Sequence, residues 1–190
     1  MRNVPNYITL LRLALVPVTA YLLWREVYGV ALIVFLSAAL SDSLDGIIAR
    51  RFDQASVLGA TLDPIADKLN MFVATVMLAW QDLLPLWLAI AIVLRDVLIV
   101  GGALAYRWVV GHVEMTPTRL SKINTFFEFG VLLLVMANAA AWFDASYTSA
   151  WLPPVFVLVF ATVVASGAHY VWVWGRKAAR AGRGTCGTGT

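Results

Sequence analysis

Residues 42–67 read Asp42-Ser43-Leu44-Asp45-Gly46-Ile47-Ile48-Ala49-Arg50-Arg51-Phe52-Asp53-Gln54-Ala55-Ser56-Val57-Leu58-Gly59-Ala60-Thr61-Leu62-Asp63-Pro64-Ile65-Ala66-Asp67. Asp42 and Asp45 close one long apolar run, Gly29 to Ala49. Asp63 and Asp67 open the next, Gly59 to Trp80. Each run is near the length of about 20 residues that crosses a bilayer. An ionised carboxylate inside a membrane is costly, so such a residue is a functional hypothesis by default. The spacings are i,i+3 and i,i+4, which put each pair on one face of a helix. The link between the runs is short, so the two helices are expected as antiparallel neighbours with both pairs at the same end.

Outward from this stretch the pattern repeats. Further apolar runs extend from Ile8 to Trp24, Leu84 to Tyr106, Thr118 to Trp142 and Trp151 to Trp174. Turn or charge signals break them at Arg25-Glu26, Gln81-Asp82, His112 to Pro117 and Asp144 to Ser149. Of 190 residues, 61% are hydrophobic and 13% charged, and the mean hydropathy is +0.80. The charged share is about half that of an ordinary soluble domain. The expectation is an all-α polytopic membrane protein of six transmembrane helices, one domain over residues 1–180, with a disordered Gly/Thr-rich tail over 181–190. Nothing at the N-terminus reads as a cleaved signal: Asn3, Pro5, Asn6 and Arg12 interrupt the first stretch.

The net charge of +3 does not read as nucleic-acid binding, because the basic residues cluster at the ends of apolar runs. Arg2, Arg50, Arg51, Arg107, Arg119, Lys122 and the Arg176-Lys177-Arg180-Arg183 group fall on one side of a six-span model. The opposite loops carry Arg25, Glu26, Asp82 and Asp144. By the positive-inside rule both termini and the aspartate site are cytoplasmic, in a membrane expected to be the bacterial inner membrane. Trp24, Trp80, Trp87, Trp108, Trp142, Trp151 and Trp174 stand near span ends as interfacial anchors. The single Cys186 supports neither a disulfide framework nor a thiol metal site.

Four facing carboxylates repel unless cations lie between them, and hard divalent cations such as Mg²⁺ take carboxylate and phosphate oxygens. Pairing with Arg50, Arg51 and Lys68 is the competing structural reading; it accounts less well for four aspartates on two facing faces. Their surroundings suit a diphosphate. Gly46 leaves room for close approach, Ala49 is small, and Arg50 offers a bidentate fork. Gly59 is read as close approach of ligand or helix, and Pro64 as a sign that the third helix starts near Asp63.

Asp42, Asp45, Gly46, Ala49, Arg50, Gly59, Asp63 and Asp67, at these spacings, resemble the signature of the CDP-alcohol phosphotransferase family. Pro5-Asn6-Tyr7-Ile8-Thr9-Leu10-Leu11-Arg12 resembles that family's first helix, so the likeness covers nearly the whole chain. The resemblance implies that Asp42, Asp45, Asp63 and Asp67 bind two Mg²⁺ or Mn²⁺ ions, with Asp67 also the general base. It implies that Asp42, Gly46, Ala49, Arg50 and Gly59 line the nucleotide and diphosphate site, and that the protein is a homodimer.

The acceptor alcohol is read from Leu94-Arg95-Asp96-Val97 and from Pro117-Thr118-Arg119-Leu120-Ser121-Lys122-Ile123-Asn124-Thr125. The second stretch resembles the branch of the family that joins CDP-diacylglycerol to phosphatidylglycerol. The branch that uses glycerol 3-phosphate usually reads Gly-Lys-x-Lys-Thr here, and its dianionic acceptor wants the second lysine. Asn124 replaces that lysine, which fits the singly charged phosphodiester of phosphatidylglycerol. Arg95, Arg119, Lys122 and Asn124 are therefore the acceptor-binding candidates, with glycerol 3-phosphate as the alternative acceptor.

Bland roles stand beside these. Arg95 is equally a partner for another span, and it is not expected to pair with Asp96, its neighbour on a different face. Arg119 and Lys122 can snorkel to the interface. Asn6, Thr9 and Arg12 can pack helices as well as reach a nucleotide. Glu128 is intramembrane without an evident role, and His112 and His169 are read as structural. A cation-coupled transporter is the reading from another class. It calls for a carboxylate at mid-membrane on broken helices, whereas these stand toward helix ends.

Overall fold

The computed structural model describes residues 4–52, 57–110 and 119–184, with side chains described for 13–40, 68–102, 120–144, 148 and 150–172. The described residues form helices joined by turns, without a strand: α1 (Val4–Trp24), α2 (Tyr28–Phe52), α3 (Val57–Trp80), α4 (Leu86–Val110), α5 (Arg119–Ala139) and α6 (Ala145–Gly184). Each apolar run of the sequence has its helix. Two ends differ from expectation. α3 starts at Val57, ahead of the position Pro64 suggested. Proline forfeits only the bond to the carbonyl four residues back, and an apolar setting rewards a preceding turn that satisfies its own backbone. α6 continues past Trp174 to Gly184; residues 185–190 of the expected tail lie outside the described residues.

Helices α1, α3 and α5 end alike. Glu26, Asp82 and Ala141 adopt φ of 59°, 57° and 57°, the left-handed conformation that closes a helix. Val27 N–H donates to Leu22 O at 2.9 Å, Leu83 N–H to Leu78 O at 3.0 Å, and Trp142 N–H to Ala137 O at 3.0 Å. Those bonds, together with Glu26 to Leu23, Asp82 to Ala79 and Ala141 to Asn138, define the Schellman motif each time.

The chain divides into two compact units. The first holds α1, α2, α3, α5 from Phe129 onward and α6 up to Leu152. Here α1 packs against both α2 and α3. Gln81 Nε2 at the end of α3 donates to Leu23 O at the end of α1, 2.6 Å away, so these two helices run parallel and α2 runs against both. The core joins Val16 and Leu23 of α1, Ala31, Phe35 and Ala38 of α2, Met71, Ala74 and Leu78 of α3, and Leu132 and Met136 of α5. Phe35 stacks on Phe129 with centroids 5.1 Å apart. Buried alanines let backbones approach closely, which is how apolar-solvated helices gain packing.

The second unit holds α4 from Trp87, α5 up to Glu128 and α6 from Pro153. Its apolar part includes Leu88, Ile92, Phe156, Val159 and Val163, with Trp87 and Phe160 edge-to-face at 5.3 Å. Both units expose large apolar side chains. Ile33, Leu94, Phe126, Val157 and Val171 are all more than half exposed. Trp24, Trp80, Trp142 and Trp151 are exposed at the ends of α1, α3 and α5 and the start of α6, the pattern of an interfacial aromatic belt. Leu120–Ala139 and Ala150–Trp172 are long and apolar enough to cross a membrane. Shorter apolar stretches occupy Leu13–Trp24, Tyr28–Leu40 and Lys68–Trp80.

Candidate active site

The signature residues stand on α2 and α3, at the end of the first unit away from the turns at 25–27 and 81–85. The side chains of Asp42, Asp45, Gly46, Ala49, Arg50, Gly59, Asp63, Asp67 and Arg119 lie outside the described residues. Their backbone positions are helical, however, and the register is fixed by the neighbours. On α3 the buried stripe contains Asn70, Ala74 and Leu78. Helical periodicity carries that stripe back through Asp67 and Asp63. On α2 the buried stripe contains Ala31, Phe35 and Ala38, and it continues through Asp42, Gly46 and Ala49, with Asp45 at its border. Lipid-facing positions such as Ile33, Leu40, Leu69 and Phe72 belong to the other arcs. Thus both aspartate pairs occupy register positions on faces that are interior elsewhere along the same helices. Among the described residues no group of three His, Cys, Asp or Glu side chains could hold a metal.

Among the acceptor candidates, Arg95 and Asn124 are described and buried, at 3% and 0% exposed, and Lys122 is exposed. They belong to the second unit. Arg95 reaches three side chains: Nη1 donates to Asp96 Oδ1 at 2.7 Å, and Nη2 to Ser121 Oγ at 2.8 Å and Ser166 Oγ at 3.2 Å. One guanidinium thereby ties α4 to α5 and α6. The Arg95–Asp96 ion pair corrects the expectation that neighbours on a helix do not pair. The long Arg stem curls round the helix by the roughly 100° that separates them, and Asp96 lies partly at the surface. Asn124 Nδ2 donates to Glu128 Oε1 at 2.7 Å. Glu128, without a role in the sequence reading, is 1% exposed and one helical turn from Asn124. Ser121 stood in the acceptor stretch without a role of its own, and Ser166, a lone serine in an apolar run, carried almost no signal. His169 has its Nδ1 buried without a partner and its ring 6.3 Å from Trp172.

The first unit carries the signature aspartates on α2 and α3, and the second holds the buried cluster around Arg95 and Asn124. Residues 2–168 match the family model of the CDP-alcohol phosphatidyltransferases; the chain belongs to that family. With α5 and α6 apolar enough to cross a bilayer, it is an integral membrane protein. A relative from Schizosaccharomyces pombe, a cardiolipin synthase (CMP-forming)/mitochondrial hydrolase fusion protein, is 37% identical over 183 residues, covering 88% of this chain and 30% of the relative. The human cardiolipin synthase (CMP-forming) is 34% identical over 191 residues, covering 92% of this chain and 62% of its own length. A chloroplastic rice relative, CDP-diacylglycerol–glycerol-3-phosphate 3-phosphatidyltransferase 1, is 30% identical over 185 residues, covering 88% and 56%. The chain thus spans less than two thirds of each of these relatives.

Proposed function

We propose that this protein transfers the phosphatidyl group of CDP-diacylglycerol to phosphatidylglycerol, giving cardiolipin and CMP. The observation that carries the reading is the family match over residues 2–168, which includes the signature on α2 and α3, supported by the names of the yeast and human relatives. The acceptor's hydroxyl oxygen bonds to the phosphorus nearer the lipid. The bond from that phosphorus to the bridging oxygen breaks, and CMP leaves with the electron pair. Asp67 takes the hydroxyl proton and passes it to solvent, general-base help worth typically 10²–10⁴-fold. Gly46, Ala49 and Gly59 leave room for the nucleotide to approach the backbone, and Arg50 binds phosphate oxygens.

Asp42, Asp45, Asp63 and Asp67 fit a pair of Mg²⁺ or Mn²⁺ ions: four hard oxygen donors, spaced to share one face on each helix. Bound there, the ions supply charge neutralisation of the diphosphate and of the leaving phosphate. The loop charges support six spans with both termini cytoplasmic, in a bacterial inner membrane, and the family resemblance supports a homodimer.

Glycerol 3-phosphate is the second reading, favoured by the rice relative's name. Asn124 speaks against it. A dianionic phosphate calls for cations, and here a neutral amide beside the Glu128 carboxylate occupies the place. The test measures CMP release from CDP-diacylglycerol by purified protein with Mg²⁺ or Mn²⁺, in parallel with phosphatidylglycerol and glycerol 3-phosphate. Turnover with phosphatidylglycerol and a four-chain product is expected. Turnover with glycerol 3-phosphate alone sinks the acceptor assignment, and cation flux without CMP release returns the transporter reading.

A further inference from the structure

Two buried polar atoms of the second unit lack a protein partner: Arg95 Nε, a donor, and Asn124 Oδ1, an acceptor. They belong to one cluster. Arg95 Nη2 bonds Ser121 Oγ at 2.8 Å, and Asn124 stands one turn beyond Ser121 on the same face of α5. Both orientations are fixed from behind. Glu128 Oε1 accepts from Asn124 Nδ2 at 2.7 Å, which turns the amide's NH₂ toward Glu128 and its carbonyl oxygen away. Asp96, Ser121 and Ser166 engage only Nη1 and Nη2 of Arg95, which leaves Nε–H directed elsewhere.

A buried donor or acceptor left unmet is costly, and native structures rarely keep one. A single group that satisfies both would donate to Asn124 and accept from Arg95. A phosphate oxygen serves Arg95 alone, and an ammonium serves Asn124 alone. A hydroxyl does both, whether a buried water's or an acceptor's, and comparing acceptors that differ by one hydroxyl separates the two. Ser121 is half-buried and Lys122 exposed, so the cluster's outer edge reaches the surface of the unit. We propose that Arg95 Nε and Asn124 Oδ1 form a subsite for the non-reacting hydroxyl of a glycerol headgroup on the acceptor, with Glu128 as its positioning residue. The proposal deepens the phosphatidyl-transfer reading and rests on it.

The test compares acceptors that differ by that hydroxyl alone. Phosphatidylglycerol is set against phosphatidyl-1,3-propanediol, which keeps a terminal hydroxyl for attack, and glycerol 3-phosphate against 3-hydroxypropyl phosphate. The wild type is expected to prefer the glycerol form by about tenfold to a hundredfold in kcat/KM. The ratio falls toward one in Asn124→Leu and Glu128→Leu and persists in Glu128→Gln, whose carbonyl still accepts from Asn124. The KM for CDP-diacylglycerol stays within about twofold throughout. A merely structural role lowers both members of a pair together and leaves the ratio unmoved. A wild-type ratio near one overturns the subsite even if the leucine variants fail to fold, as does a ratio that survives in both of them. If glycerol 3-phosphate is the substrate that turns over, the acceptor reading fails separately while the second pair of compounds still decides the subsite. CMP release with neither glycerol acceptor overturns both.

Discussion

Replacing Arg95 by methionine removes the guanidinium and keeps most of the aliphatic stem. Its side-chain bonds go with it, 2.7 Å to Asp96, 2.8 Å to Ser121 Oγ and 3.2 Å to Ser166 Oγ, and so does a long 3.5 Å bond to Ser121 O. A hydrogen bond to a charged group contributes roughly 1.5–3 kcal/mol. The two serine bonds count toward the low end, because a helical serine can turn back to its own backbone, as Thr125 does toward Ser121 O. The Asp96 bond is discounted further: that side chain is 23% exposed, and partly hydrated pairs contribute about 1 kcal/mol or less. The total is about 3–5 kcal/mol, matching the cost of removing one partner from a buried charged pair. For a chain of this size each kcal/mol moves the midpoint by about 2–4 °C, so Arg95→Met should melt roughly 6–20 °C lower. Thermal unfolding in detergent, followed by tryptophan fluorescence, reads this directly; Trp87 and Trp172 report on the unit concerned. Arg95→Lys should fall between, since an ammonium keeps the charge but not the fork. A methionine variant that melts within 2 °C of the wild type would refute the reasoning, since the guanidinium would then hold nothing together.

Other outcomes follow from the same geometry. Asp67→Asn should lower CMP release by about 10²–10⁴-fold while CDP-diacylglycerol binding, measured by equilibrium titration, persists; full activity would remove Asp67 as the base. Chelation with EDTA should abolish turnover, and added Mg²⁺ or Mn²⁺ should restore it; undiminished turnover would contradict the aspartates' assigned role. Ala141→Gly relieves a left-handed alanine and should raise stability by up to about 1 kcal/mol, visible as a higher melting midpoint; a drop would mean the Ala141 methyl is needed for packing. Leu132→Ala, at a fully buried site, should cost about 2–5 kcal/mol; a smaller loss would show a core that collapses easily around the gap.

Apolar runs broken by Arg25-Glu26 and Gln81-Asp82 located the helices, because a bilayer demands long unbroken segments and charge marks their ends. The aspartate pairs announced themselves for a related reason: a carboxylate in a long apolar run is costly enough to call for a role. The Asn124–Glu128 contact was also within reach, being i,i+4 on one helix. The partners of Arg95 were not. Ser121 and Ser166 lie 26 and 71 residues away, and only tertiary packing brings them together. Nor could the pattern reveal that α5 serves two units, since apolar periodicity runs unbroken through Glu128 and Phe129. The adjacency of Arg95 and Asp96 misled because face geometry describes Cβ directions and ignores the reach of a long side chain.

The matched Schellman ends of α1, α3 and α5 bear on how the chain enters a membrane. Each joins an odd helix to the next even one within a few residues, so under the proposed six-span topology the chain would be three helical hairpins in series. In the proposed topology only the hairpin tips must be pushed across. Their charges are Arg25 with Glu26, then Asp82, then Asp144: one neutral pair and two single negatives. An inside-negative potential favours carrying each negative charge outward by about 2.3 kcal/mol per 100 mV, so two of the three translocation steps run downhill electrically. Apart from Arg25, balanced by Glu26, the loop and terminal arginines fall on the side that stays put in that topology.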